Sequence, residues 1–360
     1  MSVLGADAGA APGETRPRRA VALLALCALA PITAAISLGA GAVAIAPAAI
    51  VETVWGMVGG DAAAAASREA LVLANIRLPR LLLGAQVGAM LAIAGALMQG
   101  LFRNPLADPG LIGVSAGAAL AAAAAIVLSD RLFGAALGRL PFAVLPAAAF
   151  VGGLLATSTL YLVATRRGRT SVATMLLAGV ALGALSGAMT GFLTYLSDDR
   201  QLRDLAFWSL GSLAGASWTK VQALAPLAIA LLVAVGFLAR GLDALALGEA
   251  EAFHLGVPVQ RLKIAVVGLT ALAVGGSVAA AGLVGFVGIV VPHVLRLAVG
   301  PGHALLLPLS ALGGATLLMG ADALARVVVA PAELPLGVVT AALGAPFFLW
   351  MLLRRGGDIE

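Results

Sequence analysis

Cysteine is almost missing from this chain: Cys27 is the only one and sits in an apolar run, which excludes an intrachain disulfide and a cysteine-based metal site. Lysine is nearly as scarce. Lys220 and Lys263 are the only two, preceded by Thr219 and Leu262, so neither closes the G-x-x-x-x-G-K-[ST] loop that cradles nucleotide phosphates. Any ATP-driven work must therefore borrow a partner. The histidines His254, His293 and His303 fall in no metal-binding spacing, so no metal site is expected. Charged residues make up 11% of the chain, against about 25% in a soluble domain. Period-2 alternation is also lacking, which leaves strands little support. The net charge of +5 comes largely from arginines at the borders of apolar runs, so it does not imply nucleic-acid binding.

What is present is apolar sequence: 61% of residues are hydrophobic and mean hydropathy is +1.07. In lipid each backbone polar group must be satisfied internally, so helices are expected. The stretch around which the chain is organised is residues 77–117. Arg77 and Arg80 open an uncharged run from Leu81 to Phe102. At about 1.5 Å per residue it crosses the roughly 30 Å hydrocarbon layer. It ends at Arg103-Asn104-Pro105-Leu106-Ala107-Asp108-Pro109, a kinked polar hinge, and an apolar run returns from Gly110.

An all-α integral membrane protein with about ten transmembrane helices follows. Residues 1–19 read as a polar N-terminal tail, residues 20–355 as one polytopic domain and residues 356–360 as a short tail. The first apolar run extends from Ala20 to about Val51, broken by Pro31 and Pro47. A cleaved leader is one reading, but its apolar core should be only about 7–15 residues; a retained span is the other. Further spans are expected at 81–102, 110–128, 141–164, 172–196, 219–239, 264–284, 285–299, 304–321 and 334–353. With the N-terminus cytoplasmic, 13 of the 22 Lys and Arg lie inside and 9 outside, the sign that the positive-inside tendency requires. Both termini are then cytoplasmic. Arg77, Arg80 and Arg326 fall outside, and Arg77 and Arg80 have no acid within five residues.

Several motifs allow two readings. Gly179, Gly183, Gly187 and Gly191, four apart, suit close helix packing or a smooth wall of a translocation path or subunit seam. Gly113-Val-Ser115-Ala-Gly117 matches the nucleophile-elbow pattern, but that motif needs a strand before the turn and His and Asp partners. Residues 240–263 form the longest polar insertion on the inner side. Leu245, Leu247, Phe253 and Leu255 alternate there with Glu249 and Glu251, as in short amphipathic surface helices. Such a segment rests on lipid or docks a soluble protein, and its acids disfavour anionic headgroups.

RLPR at 77–80, GALMQGLFRNPLADPGLIGVSAGAAL at 95–120 and LLAGVALG at 176–183 resemble the FecCD family. So do FWSLGSL at 207–213, LGEAEAFHLGV at 247–257, GFVGIVVPHVLR at 285–296 and ELPLGVVTAALGAPFFLWMLLRR at 333–355. These are membrane permeases of bacterial ABC importers for iron–siderophores, haem and cobalamin, and NPLADPGLIGVS looks nearest the haem branch. The resemblance implies a type II ABC importer permease in the inner membrane that pairs with a second copy of itself. Two ATPase subunits would hold ATP and Mg, with no cofactor on this chain, and a periplasmic binding protein would dock on Arg77, Arg80 and Arg326. It also implies a cytoplasmic gate at Asn104, Leu106, Thr170 and Ser171. A coupling element to the ATPase would comprise Leu247, Gly248, Glu249, Ala252, Leu255 and Gly256. Two rivals of other classes are an ion-coupled secondary transporter, which needs membrane-embedded acids, and an intramembrane hydrolase built on Ser115.

Overall fold

The computed structural model describes residues 15–41, 45–59, 67–133 and 141–356. Of the tails expected at 1–19 and 356–360, residues 1–14 and 357–360 lie outside the described residues, while 15–19 and 356 belong to helices. The elements are α1 (Thr15–Gly39), α2 (Pro47–Val58), α3 (Arg68–Phe102), α4 (Val114–Phe133), α5 (Pro141–Ala164), α6 (Val172–Tyr195) and α7 (Asp199–Ser209). They continue as α8 (Trp218–Leu247), α9 (Glu249–His254), α10 (Val259–Ala281), α11 (Val287–Val299), α12 (His303–Val327) and α13 (Leu336–Gly356). A two-residue hairpin, β1 (Thr165–Arg166) antiparallel to β2 (Arg169–Thr170), joins α5 to α6.

Helix α3 is the axis of the bundle. Every residue from Met90 to Leu101 is buried, which is what a helix apolar on all sides demands. Helices α8, α10, α11 and α12 surround it, while α4, α5 and α6 form a second group joined to the first through α10. Backbone approaches are unusually close. A Cβ on Gly88 would lie 2.2 Å from the Gly314 carbonyl oxygen, and one on Gly95 would lie 1.8 Å from that of Gly288. Lipid gives apolar helices no hydrophobic reason to associate, so close packing of this kind supplies much of the attraction.

Peripheral helices show the opposite pattern. On α8 the buried residues Val221, Leu224, Ala228, Leu231, Val235, Ala239, Leu242 and Leu245 recur every three or four positions. Ile229, Val233 and Phe237 on the other face are exposed. A stripe facing protein and an apolar face left outside are the signature of a helix at a lipid boundary.

Among the described residues, seven helices are long and apolar enough to cross a membrane, and three shorter apolar helices, Val114–Leu128, Val287–Val299 and Leu336–Met351, complete the ten expected stretches. Three boundaries differ from expectation. The first apolar run is two helices, because α1 ends at Gly39 and Pro47 starts α2 at the position where a missing N–H costs nothing. Helix α3 begins at Arg68, through a π-helical turn at Leu73–Arg77, so Arg77 and Arg80 lie within it instead of opening it. Helix α8 runs on past Arg240 and Asp243 to Leu247, so the polar connection is only about half the predicted insertion. Arg77, Arg80 and Asp243 fit within helices because groups distant in sequence satisfy them. The 285–299 stretch, expected as a span, is a 13-residue helix. At about 20 Å it is too short to cross alone.

Candidate functional site

At one end of the bundle three arginines converge. Arg80 is buried and spends four of its five N–H groups on two carboxylates. Its Nε is 3.0 Å and its Nη2 2.8 Å from Asp322 Oδ1, and Nη1 and Nη2 are each 2.9 Å from Glu333 oxygens. Arg326, one turn along α12 from Asp322, places its Nε 3.1 Å from Asp322 Oδ2. Its Nη2 donates to the Ser37 carbonyl and hydroxyl, both at 2.9 Å, and its Nη1 to the Ala40 carbonyl. Arg77 donates to the Leu38 carbonyl. Arg77 and Arg326 thus satisfy the orphan carbonyls at the end of α1.

Arg80 and Arg326, expected to await a carboxylate from outside, therefore already share two from within the chain. Asp322 and Glu333, 242 and 253 residues from Arg80, do what no neighbour within five residues could. The acids of α12 and α8 are likewise hydrogen-bonded within the chain: Asp243, expected in a loop, lies within α8 and accepts from the His303 backbone N–H at 2.9 Å, with His303 Nδ1 at 2.6 Å. Beside the arginines opens a cleft of about 400 Å³ lined by Arg68, Glu69, Arg77, Arg80, Arg326 and Glu333 among others. Within the ion cluster, Arg80 and Arg326 face Asp322 and Glu333, with Arg77 close by in the same cleft.

The opposite end carries the hinge and the loop after α8. Trp218 Nε1 donates to the Ala74 carbonyl at 2.8 Å, placing the start of α8 beside the arginine end. The 30 residues of α8, about 45 Å, then carry Leu247 to the other. In the hinge, Arg103 takes a left-handed conformation (φ 50°) that ends α3. Asn104 Oδ1 accepts from the Leu106 N–H at 3.0 Å, an Asx turn that sets the direction of Leu106. Asp108 Oδ1 caps the following turn through the Gly110 N–H. Burial pushes the Asp108 carboxyl above its ordinary range, and this hydrogen bond opposes the shift.

Thr170 and Ser171 stand where β2 meets α6. Ser171 is the N-cap of α6, accepting from the Thr174 N–H. Thr170 is buried, and its N–H, hydroxyl and carbonyl are all held by α10: Gln260 Oε1 accepts from the N–H at 3.1 Å, Gln260 Nε2 donates to the hydroxyl, and Lys263 Nζ donates to the carbonyl at 2.8 Å. Lys263 also reaches Glu249, at 2.7 Å, on α9. Gly248 (φ 135°) and Gly256 (φ 81°) turn the chain into and out of α9, conformations that favour glycine. Ala252 is fully buried, while Leu247, Phe253 and Leu255 are 68%, 72% and 64% exposed. Three large apolar side chains beside exposed acids describe a contact surface for a folded partner better than a resting place on lipid.

The glycine ladder divides. Gly179 packs on the Leu111 carbonyl, whereas Gly183, Gly187 and Gly191 face open space. The elbow-like motif is explained by packing. A 3₁₀ turn, not a strand, precedes it, Gly113 has φ 76°, and Gly117 meets the backbone of Gly152. Ser115→Ala is accordingly expected to leave uptake unchanged in membrane vesicles; complete loss with intact assembly would restore the hydrolase reading.

Two of these features had a local signal. Asp322 and Arg326 are an i,i+4 pair on one helix, and the apolar–acidic alternation of residues 245–255 marks the exposed loop. Nothing in local spacing announces Tyr161, Gln260 or Lys263 as partners of Thr170, because they come from different helices.

The FecCD transport family model matches residues 29–354. The chain belongs to the FecCD transport family. This FecCD chain is 47% identical over 289 residues to the hemin transport system permease protein HmuU of Yersinia pestis, covering 78% of this chain and 83% of that one. It is 47% identical over 291 residues to the vitamin B12 import system permease protein BtuC of Vibrio cholerae, covering 80% and 85%. Among solved structures, a metal-chelate type ABC transporter in an inward-facing conformation matches with a TM-score of 0.76 at 32% identity, covering 92% of this chain and 98% of that one. The FecCD protein is thus a multi-pass ABC importer permease with the type II fold, and its relatives are transport subunits, not enzymes.

Proposed function

We propose that this permease imports haem across the bacterial inner membrane by alternating access, as a homodimer whose two copies face one another across α6 around one central path. Both termini and α9 lie in the cytoplasm, where two ATPase subunits holding ATP and Mg dock on Leu247, Glu249 and Leu255. The chain itself binds no cofactor. The observation that carries the reading is the pairing of ends: an exposed apolar–acidic helix at one, a cleft lined by Arg68, Arg77, Arg80 and Arg326 at the other. A periplasmic binding protein presenting a carboxylate suits the cleft beside Arg77, Arg80 and Arg326, since charge-assisted Arg–carboxylate contacts are directional. Gly183, Gly187 and Gly191, with nothing against them in one chain, suit the seam or the path wall. Asn104, Leu106, Thr170 and Ser171 close the inner exit.

Haem is favoured by the identity to the hemin permease and the wording of residues 104–115. Cobalamin is the second reading, favoured by an equal identity to the vitamin B12 permease. The test is reconstitution with the partner ATPase and binding protein, comparing ATP-dependent uptake of haem, a ferric siderophore and cobalamin. Haem uptake well above the other two is expected. Uptake of cobalamin alone overturns the cargo but keeps the permease, and uphill transport by the permease alone on an ion gradient overturns both.

A further inference from the structure

Lys263 is one of two lysines in the chain and is 3% exposed. A buried ammonium is unfavourable unless it is paired and hydrogen-bonded. Its two recorded partners belong to different parts of the bundle: Glu249, the first residue of α9, at 2.7 Å, and the backbone carbonyl of Thr170, the residue before the N-cap of α6, at 2.8 Å. The Glu249 carboxylate is half-exposed, so one side of the lysine opens to the surface on which a partner would dock. The other side is enclosed. Gln260, one turn earlier on α10, clamps the Thr170 N–H and hydroxyl and also donates to the Tyr161 hydroxyl at 2.9 Å. The whole Thr170 peptide is thereby fastened to the first turn of α10.

We infer that Lys263 is a positioning residue that makes displacement of α9 inseparable from displacement of the start of α6, and so transmits the ATPase stroke to the inner gate. This rests on the permease reading above and names the contact through which it would work. The chemistry suits the task. Apolar contacts tolerate sliding, whereas an ion pair is directional, and separating this one strands the buried Lys263 ammonium. If α9 moved while α10 stayed, Lys263 would be parted from Glu249, its one counter-charge among the described residues. Movement as a unit keeps both bonds. Shear between α9 and the start of α6 is therefore disfavoured, and the two shift together.

The test uses the reconstituted complex, measuring ATP hydrolysis, uptake of whichever cargo the wild type carries, and co-purification of the ATPase. Lys263→Met is expected to retain the ATPase and hydrolyse ATP at the wild-type rate while cargo moved per ATP falls about tenfold, within the usual range of coupling between sites. Lys263→Arg, which keeps charge and donors, should restore most of the coupling. The exchange Glu249→Lys with Lys263→Glu restores the pair but not the donor to Thr170, and should stay uncoupled. Spin labels at Phe253 and Ser171 should change distances to a common label on α12 together on ATP binding in the wild type, and independently in Lys263→Met. Wild-type cargo per ATP in an assembled Lys263→Met complex overturns the inference. Should that variant fail to assemble, Lys263→Gln, which keeps a hydrogen-bond donor without the charge and lies off the docking surface, decides: reduced coupling with the ATPase still bound supports the link and unchanged coupling overturns it. A wild-type complex that moves none of the cargoes would instead overturn the permease reading, so the two failures are distinct.

Discussion

Arg80→Glu is expected to lower the amount of folded protein in the membrane and its melting temperature in detergent, before any effect on docking is seen. The substitution would gather three carboxylates where Asp322 and Glu333 now share one guanidinium, with Asp322 buried and Glu333 partly exposed. Removing one partner of a buried pair typically costs about 3–5 kcal/mol, because the remaining charge is left uncompensated. Arg326 would keep Asp322 but has much of its capacity committed to Ser37 and Ala40. A docking role for the cleft is better tested at Arg68, which is exposed on its rim. Arg68→Glu should leave the melting temperature unchanged and weaken binding-protein stimulation of the ATPase, most visibly at low salt. If Arg80→Glu accumulated and melted like the wild type while losing only that stimulation, Arg80 would be a direct contact and the ion cluster incidental to stability.

Gly88→Val and Gly314→Val should each be more damaging than any substitution on the peripheral helices. The two glycines approach reciprocally: a Cβ on Gly88 would lie 2.2 Å from the Gly314 carbonyl oxygen, and one on Gly314 2.1 Å from that of Gly88. The obstacle in both cases is backbone, which no rotamer change can move aside. Overpacking a core usually costs about 1–3 kcal/mol; here α3 and α12 must separate, so the top of that range or beyond is expected, read as loss of monodisperse protein on size exclusion. Gly183→Ala and Gly187→Ala provide the contrast, since nothing lies within 4 Å of either new methyl. Those variants should fold as single chains. A dimer that falls apart would locate the seam on α6, and an intact dimer with slowed uptake would locate the path wall there.

Composition and hydropathy alone carried the helical membrane class and the approximate positions of ten apolar stretches, because transfer into lipid depends on residue type summed over a window. They also exposed the residues 245–255 surface and the hinge after Phe102, where prolines and polar groups interrupt that sum. The ends of α3 and α8 were not legible, since both helices run through charges that looked like boundaries. What lets them continue is satisfaction by remote partners: Asp322 and Glu333 for Arg80, and His303 hydrogen-bonded to Asp243; Lys263, in the second turn of α10, is held in the same way by Glu249 and the Thr170 carbonyl.

Sequence by itself determined that this chain must live in lipid as helices and where its polar interruptions fall. Only the tertiary structure decided which charges are spent inside the protein and which remain for partners. The physical reason is range. Hydrophobic transfer is a property of each segment, whereas the cost of a buried charge depends on groups that folding alone brings within about 3 Å.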